Sequence, residues 1–309
     1  MVAEKKVQDR EYCRILEGMK RKYPGEEIRE LSGNPEPYFH EAVSAGRERM
    51  LLLSRKAINM ERIMKDFHEK SACFYPNLTA YRVTAMQYPA SGICFYELAF
   101  SYRIGRVMQK TMEAEVKKEV KRLTELLFLP EMPPSARCLL AHNYLASQVT
   151  YYNRENCDPL ERSYLQSAYG ALIRHACVCQ GYAEAYMLLL RAGGIRCRIV
   201  HGSTDEGSGN GHAWNIVELP EKKLAFHVDV TWDAAGKSPA LTYFGRSDAF
   251  WGSHRTWNRY YCPVCSDAGE VTEEGSAWLR SHRRELLAHG IEGEWLECCR
   301  KTPSLFRKR

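Results

Sequence analysis

The sequence lacks long apolar runs, internal repeats and low-complexity tracts. Across its 309 residues there is no stretch of about 18 uninterrupted apolar residues, so we expect no membrane span. The opening segment, MVAEKKVQDREYC, is charged and contains no apolar segment of the kind a secretory signal needs. We therefore expect a cytoplasmic protein. In that reducing compartment most of the twelve cysteines should be reduced, buried thiols.

A strong excess of charge of one sign is also missing. The formal net charge is +6, and lysine and arginine are dispersed among acids apart from the short runs KKEVKR and FRKR. Such runs are more typical of a solvated helix face and a soluble tail than of a nucleic-acid interface. With 45% hydrophobic residues the chain can bury a substantial core. We therefore expect a soluble globular protein that binds neither nucleic acid nor membranes.

Breaks in the periodic pattern divide the chain into four predicted parts. They are a charged N-terminal segment at 1–35, an accessory α/β region at 36–130, a core at 131–260 and a cysteine-containing tail at 261–309. In the accessory region RERMLLLS has the character of a strand, and two alternating segments flank PASG as a hairpin. RVMQKTMEAEVKKEVKRLTELLF has helical periodicity until the breaker PEMPP ends it. The N-terminal segment allows either short helices or partial order.

The core is predicted to contain a buried helix followed by three strands. Residues 180–192 are apolar almost all round, and Gly193 and Gly194 supply a stop. CRIVHGS, HAWNIVEL and KLAFHVDVTW then predict an antiparallel sheet. On the last of these strands, alternation would place Asp229 mid-strand between two valines. The pattern as a whole indicates an α+β fold with a buried helix packed on an antiparallel sheet.

Cys179 is the candidate nucleophile because it directly precedes the buried helix. Backbone N–H groups and the dipole at a helix N-terminus stabilise a thiolate and an oxyanion. Cys177 is the rival thiol, but it falls in the preceding loop without a helix behind it. A buried structural cysteine is the alternative interpretation of Cys179.

His212 and Asp229 are the candidate partners of that thiol. His212 follows a glycine-rich loop and begins a strand, where its ring can be presented at a sheet edge. An ionised carboxylate among valines is costly without a partner. His212 on the neighbouring strand is the nearest candidate partner, and Asp233 and His201 are the alternatives. A lone histidine at such a position is otherwise usually solvent-exposed or satisfied within a core.

The motifs VCQGYAEAYMLLLRAGGI, GHAWNIV and HVDVTWD resemble, in this order, the transglutaminase-like core, a papain-type fold. The similarity extends over about 135–260 and looks like the bacterial branch of that superfamily. The resemblance implies that Cys179 is the nucleophile, His212 the base and Asp229 the acid that orients it. It also implies packing roles for Trp214 and Asn215.

The resemblance implies acyl transfer or amide hydrolysis on a protein or peptide, through a thioester and without a metal or organic cofactor. The alternative from another class is a non-catalytic interaction module that retains the fold. A third possibility is a zinc-bound scaffold whose role lies in the tail. The sequence does not indicate an oligomeric state.

The tail contains the segment YCPVC, whose spacing is typical of half a zinc site. Cys262 and Cys265 are the zinc candidates, completed by Cys298 and Cys299 or by His254. Reduced thiols or a redox role are the alternatives. The segment FWGSHRTW either walls the active-site groove or simply packs, so Trp251 and His254 are not counted as catalytic.

Overall fold

The computed structural model describes residues 2–71, 77–152, 157–204, 211–235, 241–252, 255–257, 259, 262–267 and 269–296. The chain divides into two compact units, Met1–Arg106 and Val107–Arg309. The four-part organisation expected from the sequence stays a prediction. The helix over 106–127, expected in the accessory region, lies almost entirely within the second unit.

The first unit is a four-stranded sheet with helices on both faces. Its elements are α1 (Val2–Lys22), β1 (Ile28–Leu31), α2 (Glu36–Ser44), β2 (Arg49–Ser54), α3 (Met60–Ser71), β3 (Leu78–Tyr88) and β4 (Ile93–Tyr102). The strand order is β1-β2-β4-β3, with β1 and β2 parallel and the other pairs antiparallel. The predicted strand and hairpin are therefore present. The N-terminal segment forms a long helix and a strand of this unit.

The strand β2 explains how the first unit is held together. Leu52 packs with Phe39 of α2 and Phe67 of α3 on one face of the sheet. Leu51 and Leu53, on the opposite face, pack with apolar residues of α1. Burial of each such side chain contributes about 1.5–3 kcal/mol. A central strand that is covered on both faces is expected to be apolar along its buried stretch, and MLLL, between Arg49 and Ser54 of β2, is.

The second unit contains a helical layer and a five-stranded sheet. Its helices are α4 (Arg106–Leu127), α5 (Pro134–Gln148), α6 (Pro159–Leu165), α7 (Ala168–Leu172), α8 (Cys179–Ala192), α9 (Val230–Ala234), α10 (Asp248–Trp251), α11 (Glu270–Ser281) and α12 (Arg283–His289). Its strands are β5 (Thr150–Tyr151), β6 (Ala176–Cys177), β7 (Arg196–Thr204), β8 (Gly211–Leu219), β9 (Leu224–Val228), β10 (Phe244–Arg246) and β11 (Arg255–Trp257). The main sheet has the order β10-β9-β8-β7-β11, and all its pairs are antiparallel.

The helix α8 is the centre of the second unit. It packs against β7, β8 and α5, and eight of its residues are buried. Gly194 ends it with a φ of 78°, which lets the N–H of Ile195 reach the carbonyl of Leu190 at 2.9 Å. Asn215 of β8 donates its side-chain amide to the carbonyl of Ala183 at 2.9 Å. That bond fixes the helix against the strand that bears His212.

The prediction for the third strand of this sheet is wrong at its end. The strand β9 ends at Val228, and Asp229 caps the short helix α9 instead of continuing the strand. Its carboxylate accepts the N–H of Trp232 at 3.1 Å, which satisfies one of the helix's unpaired donors. The carboxylate is therefore not flanked by strand neighbours. It lies at the point where the chain leaves the sheet.

Candidate active site

Cys179 is the first residue of α8, and its thiol is half-buried. Val178 precedes it in an extended conformation, and its N–H is held by the carbonyl of Leu165 at 2.9 Å. Gly181 permits the close packing at this end of the helix, because a Cβ there would lie 2.6 Å from the Cβ of Cys177. The thiol is thus presented at a helix start whose N–H groups favour negative charge.

His212 and Asp229 are brought together as predicted from the sequence. The Nε2 atom of His212 lies 2.7 Å from Oδ2 of Asp229. His212 is 9% exposed and Asp229 is 1% exposed, so water screens this pair weakly. Nε2 is engaged by the carboxylate, so Nδ1 is the ring nitrogen left for another partner, and the thiol of Cys179 lies near enough to His212 to raise the pKa of the ring.

The protonation of His212 follows from these contacts. Burial alone would lower the pKa of His212, but the charge of Asp229, its hydrogen bond and the contact with Cys179 raise it to about 9. The ring is therefore an imidazolium at neutral pH. An imidazolium beside a half-buried thiol at a helix N-terminus is the environment in which a thiolate is stabilised.

Arg255 is the functional candidate that the sequence did not reveal. Its side chain is 1% exposed, and its Nη2 donates to Oδ2 of Asp229 at 2.7 Å. The guanidinium lies 4.4 Å from the ring centre of Trp232 and 4.4 Å from that of Trp251. The segment FWGSHRTW showed aromatic residues and a histidine, but nothing in it distinguished this arginine from a solvated one. The partner is 26 residues away in sequence.

The alternative candidates from the sequence, Cys177, Asp233 and His201, have other environments or partners. Cys177 lies in β6 and is fully buried, and burial raises the pKa of its thiol well above the usual range. Asp233 lies 3.0 Å from the ring of His142, and both are buried. His201 lies 2.7 Å from the side-chain oxygen of Gln180. Burial lowers the pKa of His201, and the positive charge of His212 lowers it further.

Cys265, one of the two zinc candidates, lies in a cluster that was not expected from the sequence. Within the described residues, Cys265 joins His227 and Asp248, and the ligand atoms of the three lie within 4.8 Å of one another. Cys262 is half-buried and not part of that group. The other residues proposed to complete the site, His254, Cys298 and Cys299, lie outside the described part of the chain.

The hydrogen bonds of this second cluster do not fit a metal. Trp214 donates its indole N–H to Nδ1 of His227 at 3.0 Å, so the proton of the neutral ring is on Nε2. That nitrogen faces Asp248 at 2.9 Å. A metal-bound histidine normally donates its second N–H to an acceptor, whereas here Trp214 is a donor. His227 would have to lose the Trp214 bond before Nε2 could bind a metal.

The histidine of the second cluster has the opposite protonation from His212. Burial lowers the pKa of His227 to about 4, with Asp248 opposing and Arg255 adding to this effect. Burial also raises the pKa of Cys265 well above the usual range, and Asp248 raises it further. The histidine is therefore neutral and the thiol protonated at neutral pH.

The aromatic residues near the site serve mainly to pack and to orient. Trp214 is 1% exposed, and Trp251 is fully buried and stacks on His227 with ring centres 4.8 Å apart. His212 lies 6.0 Å from the ring of Trp214 and 6.0 Å from that of Trp232. The packing roles expected for Trp214 and Asn215 agree with these contacts, although Trp214 also fixes the tautomer of His227.

Comparison with known proteins places the candidate site within a family match. Residues 121–230 match the family model of the transglutaminase-like superfamily, a range that includes Cys179, His212 and Asp229. The match confirms the resemblance and the α+β fold class expected from the sequence. It covers well under half of the chain and ends before Arg255. A search of curated proteins gave no significant match.

Two solved structures show weak similarity to this chain. A protein described as a TGase is 11% identical with a TM-score of 0.34, covering 86% of this chain and 78% of its own. A protein from Cytophaga hutchinsonii, described as a candidate cysteine protease, is 12% identical with a TM-score of 0.31. The second similarity covers 49% of this chain and 62% of the other, so this chain spans less than two thirds of that protein. At these TM-scores neither similarity supports a conclusion about mechanism.

Proposed function

We propose, on the premise that residues 121–230 match the transglutaminase-like superfamily, that the protein carries out cysteine-dependent acyl transfer or amide hydrolysis on a protein or peptide. The observation that carries this proposal is the contact of His212 with Asp229 through Nε2 at 2.7 Å, with the thiol of Cys179 near enough to raise the pKa of the ring. A thiol, a histidine and an orienting acid in this order are the parts of a nucleophilic site.

The first half of the proposed reaction breaks the amide bond. The thiolate of Cys179 attacks the carbonyl carbon, and N–H groups at the start of α8 stabilise the oxyanion that forms. His212, as an imidazolium, then gives its Nδ1 proton to the leaving amine as the C–N bond breaks. Asp229 keeps the ring in the orientation that this transfer needs. The products of this half are a free amine and a thioester on Cys179.

The second half regenerates the enzyme. His212, now neutral, removes a proton from water or from an acceptor amine, which attacks the thioester carbonyl. The C–S bond breaks, the thiolate returns and the imidazolium is restored. Water gives hydrolysis and an amine gives cross-linking. The side chains of the site perform each step without a metal or organic cofactor.

An assay with two sets of peptides, with and without a small primary amine, tests this proposal. Glutamine-containing peptides report on attack at the side-chain amide, and peptides without glutamine report on cleavage of the peptide bond. We expect amide cleavage or amine incorporation by the wild-type protein and none by Cys179→Ala. Cys265→Ala is the matched control, since it removes a buried thiol from the other cluster, and it should retain activity. Turnover by Cys179→Ala equal to the wild type would contradict the proposal. Loss of activity in both variants, with both folded, would also count against it.

The competing proposal is a non-catalytic interaction module that keeps the fold. The pairing of a buried imidazolium with a thiol favours the enzyme, because a binding module gains nothing from a proton donor beside a half-buried thiol. A zinc-bound scaffold is less supported, given the tautomer of His227. If full activity screening gives no turnover while Cys179 alkylation leaves partner binding unchanged, the interaction module is the better explanation.

The cellular location of the protein is also a proposal. Among the described residues, no helix combines the length and the apolar character that crossing a bilayer requires. We propose a cytoplasmic protein whose partner is its protein or peptide substrate. Fractionation of cells that produce the protein, with an antibody against it, tests the location; recovery outside the soluble cytoplasmic fraction would contradict it.

A further inference from the structure

Three donors from three elements hold the carboxylate of Asp229. Oδ2 accepts from Nε2 of His212 on β8 and from Nη2 of Arg255 on β11, each at 2.7 Å. Oδ1 accepts from the backbone of Trp232 on α9 at 3.1 Å. The same oxygen is therefore shared by an imidazolium and a guanidinium. Such sharing fixes the position of the oxygen more tightly than either donor would alone.

The surroundings of Arg255 keep its guanidinium in place. Its centre lies 4.4 Å from the rings of Trp232 and Trp251 and 5.0 Å from that of Tyr243. Its Nε and Nη1 atoms have no hydrogen-bond partner within the part of the chain that the structure describes. Within that part, Asp229 is the carboxylate that pairs with this buried cation. Burial of an arginine costs free energy when only one carboxylate pairs with it and aromatic rings enclose the rest of the guanidinium. This cost points to a role for Arg255 beyond packing.

We infer that Arg255 is a positioning residue, which holds the Asp229 carboxylate against His212 and shares its Oδ2 atom with the ring. This inference rests on the proposed function, because it assigns Arg255 to the same site. Arg255 acts through Asp229 rather than on the substrate. It would withdraw part of the carboxylate's negative charge from His212 and so leave the imidazolium able to release its proton during the reaction.

The charge of Arg255 should affect the titration of His212. Four groups from four elements face that ring or its partner: Cys179 on α8, His201 on β7, Asp229 at the start of α9 and Arg255 on β11. Arg255 opposes a positive charge on His212, whereas Asp229 and a thiolate favour it. His201, whose pKa is lowered by burial, is neutral in the pH range where His212 titrates. Loss of the Arg255 charge should therefore raise the pKa of His212, by about one unit if the effective dielectric is that of a typical protein interior.

The test is an NMR titration of His212 in protein with isotope-labelled histidine, supported by the pH profile of Cys179 alkylation. Arg255→Gln and Arg255→Met are the neutral variants, the second being an apolar replacement that leaves no unpaired donor among the rings. Arg255→Lys keeps the charge, and we expect it to return the pKa towards the wild-type value. Arg246→Gln is the matched control. Arg246 is 8% exposed, its guanidinium lies 4.6 Å from the ring centre of Phe250, and it donates to the backbone carbonyls of Thr242 and Leu241.

A raised pKa of His212 in a neutral Arg255 variant, with no change in Arg246→Gln, is the expected result. An unchanged pKa in folded Arg255→Gln or Arg255→Met would overturn the inference, as would an equal shift in Arg246→Gln. Failure of both neutral variants to fold, while Arg246→Gln folds, would show a structural role and also overturn it. If the proposed reaction is absent from the wild type, the His212 titration still reports on Arg255. The two failures are therefore distinguishable.

Discussion

The second unit contains two clusters of the same three residue types, whose histidines have pKa values shifted in opposite directions. His212, Asp229 and Cys179 form the first, in which the pKa of the histidine is raised to about 9. His227, Asp248 and Cys265 form the second, in which the pKa of the histidine is lowered to about 4. Both histidines are buried and both contact a carboxylate. Residue type therefore does not decide the chemistry of these clusters.

Hydrogen-bond direction accounts for the difference, since burial opposes a positive charge on both rings. His227 receives the Trp214 N–H on Nδ1, so a second proton on that ring would break a bond at 3.0 Å. His212 contacts the carboxylate of Asp229 through Nε2, and Asp229 and the nearby thiol of Cys179 both raise the pKa of the ring. The positive charge of Arg255 lowers the pKa of His227, while its hydrogen bond holds Asp229 beside His212.

The largest expected effect comes from removing each thiol in turn. Cys179→Ala should lower turnover by about 1000-fold or more, because the nucleophile is lost. Cys265→Ala should change turnover less than about threefold, as expected for a structural thiol. Steady-state kinetics on both folded variants measures the ratio. Similar losses would remove the functional difference between the clusters.

Replacing Asp229 should lower the free energy of unfolding more than replacing Asp248 does. Asp229→Ala leaves the buried Arg255 without its carboxylate, so we expect a loss of about 3–5 kcal/mol. Asp248→Ala leaves a neutral histidine without an acceptor, and the expected loss is about 1–3 kcal/mol. Urea denaturation followed by fluorescence gives both values. An Asp229→Ala variant as stable as the wild type would contradict the buried pairing.

The two histidines should give opposite slopes of stability against pH. The folded pKa of His212, about 9, is above its reference value of 6.5, so its stabilisation is complete below pH 6.5 and lost as the pH rises through 9. The folded pKa of His227, about 4, is below 6.5, so stability falls as the pH drops from 6.5 through 4.

Denaturation at a series of pH values, on the wild type and on His212→Gln and His227→Gln, checks this prediction. His212→Gln should flatten the alkaline slope only, and His227→Gln the acidic slope only. An acidic slope that is lost in His212→Gln would show that the two assignments are exchanged.

The smallest expected effect concerns metal at the second cluster. Since the tautomer of His227 opposes coordination, purified protein should contain less than about 0.2 equivalents of zinc, well below a folding-linked site. A chelator should leave the melting temperature unchanged. Stoichiometric zinc that a chelator removes with a large drop in melting temperature would reverse the assignment and restore the zinc interpretation of Cys265.

The sequence predicts the first cluster better than the second. The helix α8 and the strands β7, β8 and β9 follow from local periodicity, and the position of Cys179 at a helix start follows from the same pattern. Asp229 was expected in a strand, because alternation in HVDVTW does not distinguish a strand from the capped helix α9. Its pairing with His212 was nevertheless expected, because a buried acid needs a partner.

The contacts that could not be predicted are those that depend on the tertiary arrangement. Arg255 donates to Asp229 although the two are 26 residues apart in sequence, and no local spacing in the sequence predicts that pair. Cys262 and Cys265 were visible as a two-residue spacing, whereas His227 and Asp248 join Cys265 only once the sheet is formed. Trp214 was expected to pack, yet its N–H decides the tautomer of His227. Hydrogen-bond direction in a buried cluster is not a property of the sequence pattern.

The difference between the two thiols is tested most directly by mass-spectrometric mapping of iodoacetamide labelling at pH 6. If Cys179 is the reactive thiol and Cys265 the inert one, Cys179 should be alkylated well before the other cysteines. Its labelling rate should fall strongly in Asp229→Asn, while Cys265 stays unlabelled in the folded protein. Equal labelling across the twelve cysteines, or labelling of Cys265 before Cys179, would contradict this assignment.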